Sequence, residues 1–341
     1  MRHALLPLCT FALLALTAAA STSPVSAQPA VREWKLSTAV GPAFALGRAG
    51  TRWATLIGER SGGGLAVKVH AGAVLAQRDP AREFAALAAG SAELAVGSTL
   101  QWAGSVPELG VVGLPWLAPG PGPLAALAAE PMSTRLAAAL QRAGVVALAF
   151  APLGHRALAT TGKAVREPAD LAGLAVRVPA LPALADLYAT LDAKPQVLEF
   201  AAAQAAFRSG ALGGQDGTAA TFVAARLEAV GLRHVVDWHA VGEIAVFAVN
   251  RAVWDGWTDA QRALVRDAAV VAAAELVPAA REETTQAQAE LRQRGLTLTR
   301  LTPEGHAAFA AVSRAAYQRA AALAGEEMVR AAEEAVRASA R

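Results

Sequence analysis

Short apolar runs that suit strands alternate with stretches of helical spacing from Trp34 onward, and this alternation constrains the fold more than any other feature. Residues 34–38 read as a strand closed by the breaker Gly41-Pro42. Residues 44–60 carry Leu46, Trp53, Leu56 and Ile57 at helical spacing, and Ser61-Gly62-Gly63-Gly64 ends them. Residues 65–69 alternate as a strand does; Asp79 caps a helix with Pro80 at its first position and Gly90 behind it; residues 94–96 form a short buried strand. The same alternation continues with helices over 132–143 and 182–191 and strands over 145–150, 176–178 and 244–249. Residues 119–123, Pro-Gly-Pro-Gly-Pro, read as a stiff surface loop. Thr258 opens a helix that runs from Asp259 to Arg294 with a kink at Pro278, and residues 304–339 are helical and Ala-rich. No internal repeat is present. Strands and helices of these sizes in this order predict an α/β protein with mainly parallel sheets flanked by helices.

A chain of 341 residues suffices for about two domains with full cores. Apolar residues make up 54% and charged residues 17%, which excludes a disordered chain. Lys35, Lys68, Lys163 and Lys194 are the whole lysine complement, and the arginines are scattered among Asp and Glu, so the net charge of +3 marks no nucleic-acid face.

The first 27 residues read as a secretory signal. Arg2 and His3 precede an apolar run over 4–20, and Val25-Ser26-Ala27 offers small residues before a cut. An N-terminal membrane anchor is the alternative reading. Cys9, the lone cysteine, lies inside the apolar run, so a mature chain starting near Gln28 would have none and would be held by its core alone. Later apolar stretches are cut by charges, Pro or Gly before they reach a membrane span, so the mature chain is expected outside the cytoplasm and not embedded in a membrane.

Chemistry of turnover is hard to assemble from these residues. There is no Ser between glycines, no phosphate-binding loop and no helical His pair, and Gly120-Pro121-Gly122 lacks the third glycine of a dinucleotide loop. His234 and His239, five apart with no Cys nearby, read as two partly exposed loop histidines. No cofactor and no metal ligand set is expected.

The most specific stretch runs from Gly154 to Gly217. Gly154-His155-Arg156 follows an apolar strand, and Pro168-Ala-Asp-Leu-Ala-Gly-Leu-Ala-Val-Arg-Val-Pro179 places Arg177 on a β-prone run. A guanidinium between Val176 and Val178 needs a partner. That partner is an internal carboxylate in a structural ion pair, or a ligand carboxylate held in a bidentate fork across a cleft.

These residues resemble the solute-binding proteins of tripartite ATP-independent periplasmic (TRAP) transporters, the dicarboxylate-binding DctP-like type. The run from Pro168 to Pro179 is similar to that family's P-x-D-L-x-G-L-x-x-R-x-P element; Phe200, Gly214-Gln215-Asp216, Gly72 with Leu75, Leu114-Pro115-Trp116-Leu117 and the 239–254 segment support it in order. The chain departs from the common pattern at Ala180, Ala202, Gln204, Gly213 and Gly217, which makes the pocket less polar. The resemblance implies a two-lobed, type II-like periplasmic solute-binding fold with a long hinge-spanning helix. Lobe I would comprise residues 28–152 and 244–285, and lobe II residues 153–243 and 286–341. It implies Arg177 as carboxylate anchor, Arg156 as its support, Phe200 against the ligand's apolar body, and Gln215, Asp216, Gly217 and Glu243 around them. A small organic acid would be the ligand and membrane permease subunits the partners. A sensory receptor, and a secreted enzyme using Asp216 and Glu243 as an acid/base pair, are the alternatives.

Overall fold

The apolar runs that read as strands pair into two mixed sheets. The computed structural model describes residues 32–198 and 200–339, with the backbone alone at 200 and 201. The expected leader over 1–27 and the Phe200 side chain therefore lie outside the described residues. The first sheet has the order β2-β1-β3-β10-β4. It comprises β1 (Glu33–Thr38), β2 (Ala66–Ala71), β3 (Leu94–Ser98), β4 (Val145–His155) and β10 (Gly242–Asn250). The second has the order β11-β9-β5-β8-β6-β7. Its strands are β5 (Ala157–Thr160), β6 (Ala175–Val178), β7 (Lys194–Val197), β8 (Gly214–Gly217), β9 (His234–Asp237) and β11 (Thr297–Arg300). Pairing is parallel except around β10 in the first sheet and β5 in the second, each of which runs antiparallel to both neighbours.

Strand β10 shows why its sequence is nearly all apolar. Ile244, Val246 and Ala248 enter one core cluster with Leu109, Leu124 and Leu136. Ala245, Phe247 and Val249 enter another with Trp53, Leu36 and Val265. A central strand covered on both faces cannot alternate with polar residues.

The chain passes between the sheets three times. It leaves the first between His155 and Ala157, with Arg156 at the junction, and returns between Asp237 and Gly242. The Arg156 N–H donates to the Val241 carbonyl at 3.0 Å, so these two crossings are bonded to each other. The helix Asp259–Gln293 makes the third. Its Thr258 cap accepts from Gln261 N, and Gln261 Oε1 accepts from Thr258 N at 2.9 Å, a reciprocal start. At 1.5 Å per residue it extends about 50 Å. Val265, Ala269, Leu276 and Ala280 pack in the first lobe, Ala287 and Leu291 in the second. Helical spacing resumes past Pro278, as expected.

Three local expectations change. Residues 119–123 do not stay a loop: Pro121 starts the helix Pro121–Ala128, because its fixed φ suits a first helical position and Leu124 and Leu127 are buried. The 304–339 segment is three helices, Pro303–Val312, Arg314–Ala324 and Glu326–Ser339, broken at Ser313 and at Gly325 with φ 92°. The last of these does not sit with lobe II as expected for 286–341; Met328, Ala331 and Ala332 bury against Leu109, Leu124 and Leu136 of the first lobe. Among the described residues no helix is long and apolar enough to cross a membrane.

Candidate functional site

The junction residue Arg156 is the centre of a buried polar network. Its side chain is 10% exposed. Arg156 Nε donates to Asp216 Oδ1 at 2.6 Å and Nη2 pairs with the same oxygen, while Nη1 lies 3.9 Å from Glu243 Oε2. Asp216 Oδ2 accepts from the Tyr188 hydroxyl at 3.0 Å. Glu243 Oε1 accepts from Ser98 Oγ, and Ser98 Oγ accepts from Gln101 N at 3.3 Å. The network thus links β10 and the end of β3 in one sheet to β8 in the other. Burial opposes the charge of Arg156, and Asp216 with Glu243 overcomes it, so the guanidinium stays protonated with a raised pKa. Burial and the Asp216 charge push the Tyr188 phenol up.

Arg177 stands on β6, half-buried, opposite Gln215 of β8. Its Nε donates to the Leu198 carbonyl at 2.8 Å. Gln215 Nε2 donates to the Asp216 carbonyl at 2.9 Å, and Gln215 Oε1 is buried without a hydrogen-bond partner. Gly217 is required by close approach: a Cβ there would come within 2.6 Å of Phe222 Cε1 and 2.8 Å of Thr221 Oγ1. The Phe222 ring fills the space that a larger residue at 217 would occupy.

Arg156, Arg177, Gln215, Asp216 and Gly217 line one cavity of about 200 Å³, walled on its apolar side by Phe222, Ala225 and Leu227. A second cavity of about 190 Å³ shares Gln101, Arg156, Thr218 and Thr221 with it and adds Phe44, Ser98, Glu243 and Glu283. Five of the seven residues singled out in the sequence therefore line the first cavity, and Glu243 lines the second. Phe200 starts the helix Phe200–Arg208. Sequence reasoning missed Tyr188, Ser98, Gln101 and Phe222, which carry no motif: Ser98 is brought in by the pairing of β3 with β10, and the other three stand on helices that pack beside the junction. Asp216 and Glu243, weighed as an acid/base pair, are both engaged, the first by Arg156 and Tyr188 and the second by Ser98.

On the other side of the junction, the His155 and His239 rings stack with centroids 4.5 Å apart. His155 Nε2 bonds the Ala118 carbonyl at 2.7 Å, and His239 Nδ1 the Pro119 carbonyl at 3.2 Å. His239 Nε2 lies 3.1 Å from Asp237 Oδ1. Burial and the neighbouring His239 push His155 down to about 4, whereas the Asp237 hydrogen bond raises His239. His234, expected in a loop with His239, instead belongs to β9. Among the described residues no group of three or more His, Cys, Asp or Glu side chains is placed to hold a metal ion.

Comparison with known proteins places this architecture. A TRAP periplasmic solute-binding protein from Ralstonia eutropha H16, solved with bound (S)-2-acetolactate, is 35% identical; the match covers 89% of this chain and 98% of that one, with a TM-score of 0.84. One from Ochrobactrum anthropi, solved with its C-terminus in the ligand-binding pocket, is 24% identical over 89% of this chain and 94% of that one, with a TM-score of 0.83. A solute-binding protein of Verminephrobacter eiseniae is 26% identical over 240 residues, 70% of this chain and 71% of that one. The uncharacterised protein y4mM of Sinorhizobium fredii is 27% identical over 218 residues; the match takes in 61% of this chain and 40% of that protein's length. The model of the bacterial extracellular solute-binding proteins, family 7 (DctP), matches residues 36–323, nearly all of both lobes. The chain belongs to family 7 of the bacterial extracellular solute-binding proteins.

Proposed function

We propose that this chain is a periplasmic receptor that binds a small organic acid between its lobes and delivers it to a TRAP-type membrane permease. The observation that carries the reading is the convergence of Arg177, Arg156, Gln215 and Asp216 on one small cavity at the lobe junction. Arg156 is engaged by Asp216 and Glu243, so its part is to hold the two lobes' polar groups in register. Arg177 receives the ligand's carboxylate, its planar fork suited to two parallel hydrogen bonds. Phe222 and Leu227 pack on the ligand's apolar body. The acetolactate-bound relative supports a small acid as ligand. Export would remove the leader over 1–27, and the three crossings would act as the hinge on which the lobes close.

The test uses the chain from Gln28 onward. A panel of small organic acids is screened by thermal shift, and hits are titrated by calorimetry and examined by solution scattering. The reading expects saturable binding together with a smaller radius of gyration. A bound acid that leaves the radius unchanged contradicts closure, and chemical conversion of a bound acid contradicts a receptor.

A further inference from the structure

The charges around the cleft restrict the ligand more than the presence of an arginine does. Among the described residues lining the two joined cavities there are two arginines, Arg156 and Arg177, against three carboxylates, Asp216, Glu243 and Glu283. Glu283 is held outside the Arg156 network: its Oε2 accepts from Ala45 N at 2.5 Å and from Arg48 Nη2 at 3.1 Å. Arg156 is taken up by Asp216 and faces Glu243. His155, which also lines the cleft, is kept neutral by its burial. An acid whose carboxylate sits on Arg177 thus brings the region to an excess of negative charge, and a second ligand carboxylate finds acidic side chains instead of a second cation.

Glu243 has a further property. Its Oε1 accepts from Ser98, but its Oε2 is 3.9 Å from Arg156 Nη1, beyond hydrogen-bond range. A carboxylate oxygen that lines a cavity and lacks a donor is an acceptor for a ligand hydroxyl. Thr218 and Thr221, which also line both cavities, bond to each other across the start of their own helix.

We propose that Glu243 makes the cleft selective for singly charged hydroxy acids, accepting the ligand's hydroxyl through Oε2 and repelling any second carboxylate. The inference rests on the organic-acid reading above and adds to it a charge limit and a hydrogen-bond donor.

Calorimetry with three probes tests it on the chain from Gln28: 2-hydroxy-3-methylbutanoate, its deoxy analogue 3-methylbutanoate, and the hydroxy diacid malate. The hydroxy monoacid should bind tightest. Loss of the hydroxyl should cost about tenfold or more, since it leaves a charged acceptor desolvated without its donor. Malate should be weaker by about 100-fold, because a like charge placed beside a carboxylate costs several kcal/mol. In Glu243→Gln the gap between the hydroxy monoacid and malate should narrow about tenfold or more, the amide oxygen still accepting while the charge is gone. If wild-type protein binds malate as tightly as the hydroxy monoacid, the charge limit is wrong and the organic-acid reading survives. If the gap is unchanged in Glu243→Gln, Glu243 is not its source. If wild-type protein binds none of these or any other organic acid, the parent reading fails and this inference with it. Should Glu243→Gln fold poorly, Glu243→Ser is read in the same way: a gap that narrows assigns the selectivity to Glu243, and an unchanged gap overturns the assignment.

Discussion

Arg156 Nε and Asp216 Oδ1 lie 2.6 Å apart across 60 residues of sequence, both side chains buried, and this bond fixes the first lobe crossing to strand β8. Breaking such a pair strands a charge in the interior. Asp216→Ala and Arg156→Met should each destabilise the ligand-free chain by about 3–5 kcal/mol, with the double variant losing much less than the sum. Urea unfolding of the four proteins measures the coupling. Additive losses would mean that the pair is not the unit. This also revises the part expected of Arg156, whose truncation should be felt in folding before it is felt in affinity.

Glu83 predicts a pH dependence. It is fully buried, its Oε1 accepts from Ser37 Oγ at 2.8 Å, and its Oε2 has no partner. Burial pushes its carboxyl up to about 7, against the opposing pull of the Ser37 hydroxyl and of the Trp102 indole, which lies nearby but outside hydrogen-bond geometry. A carboxyl with a raised folded pKa keeps its proton in the folded state while the unfolded chain loses it. Its stabilisation is complete below about 4.5 and is lost as pH rises to about 7. Glu83→Gln should therefore gain on the wild type by about 3 kcal/mol between pH 4.5 and 8, read from urea midpoints at each pH. A constant difference across that range would contradict the burial argument.

His155 should act with the opposite sign. Its folded pKa is depressed to about 4, so the unfolded chain binds the proton first and stability falls as pH drops from about 6.5 to 4. His155→Gln should flatten that loss by up to about 3 kcal/mol. His239, raised by Asp237, stabilises below about 6.5 and loses its contribution as pH climbs through its folded pKa. Because Glu83 and His155 titrate in overlapping windows with opposite slopes, each is read as variant minus wild type. An acid limb in His155→Gln as steep as that of the wild type would contradict the role given to the imidazole.

Much of the fold was legible because its signals are local. The helix from Asp259 is capped by Thr258, and the helix after Asp79 begins at Pro80; both signatures need only neighbouring residues. The apolar run of β10 announced a buried strand, yet nothing local told that it lies between β3 and β4, since those pairings join partners as distant as Ala245 and Ser98 or Asn250 and Val145. The site divides in the same way. Arg177 is legible through the motif around it, whereas Ser98 reaches the network through sheet pairing and Tyr188 through the packing of the helix Pro182–Thr190, neither of which a linear pattern encodes. The partners of Arg156 were hidden for the same reason: Asp216 and Glu243 sit on distant strands.

Gly217 offers a packing test. Gly217→Ala places a methyl 2.6 Å from the Phe222 ring and should cost about 1–3 kcal/mol through overpacking. Adding Phe222→Leu should return part of that loss and widen the cavity, so that bulkier acids gain affinity relative to small ones. If Gly217→Ala melts with the wild type, the ring is not the wall that limits this site.

The central claim is that Arg177 anchors the ligand's carboxylate, and calorimetry on Arg177→Met with an acid identified in the panel tests it most directly, alongside melting of the ligand-free variant. Affinity should fall by about 30-fold or more, the equivalent of the 2–5 kcal/mol lost when one partner of a buried charge pair is truncated. Arg177→Lys should recover only part of this, because a point charge cannot supply two parallel bonds. The affinity loss should exceed what the change in ligand-free melting temperature accounts for, since Arg177 stands half-buried at the cavity with Nε bonded to the Leu198 carbonyl. Affinity that holds while the empty protein melts far below the wild type would make Arg177 a structural residue and contradict the account.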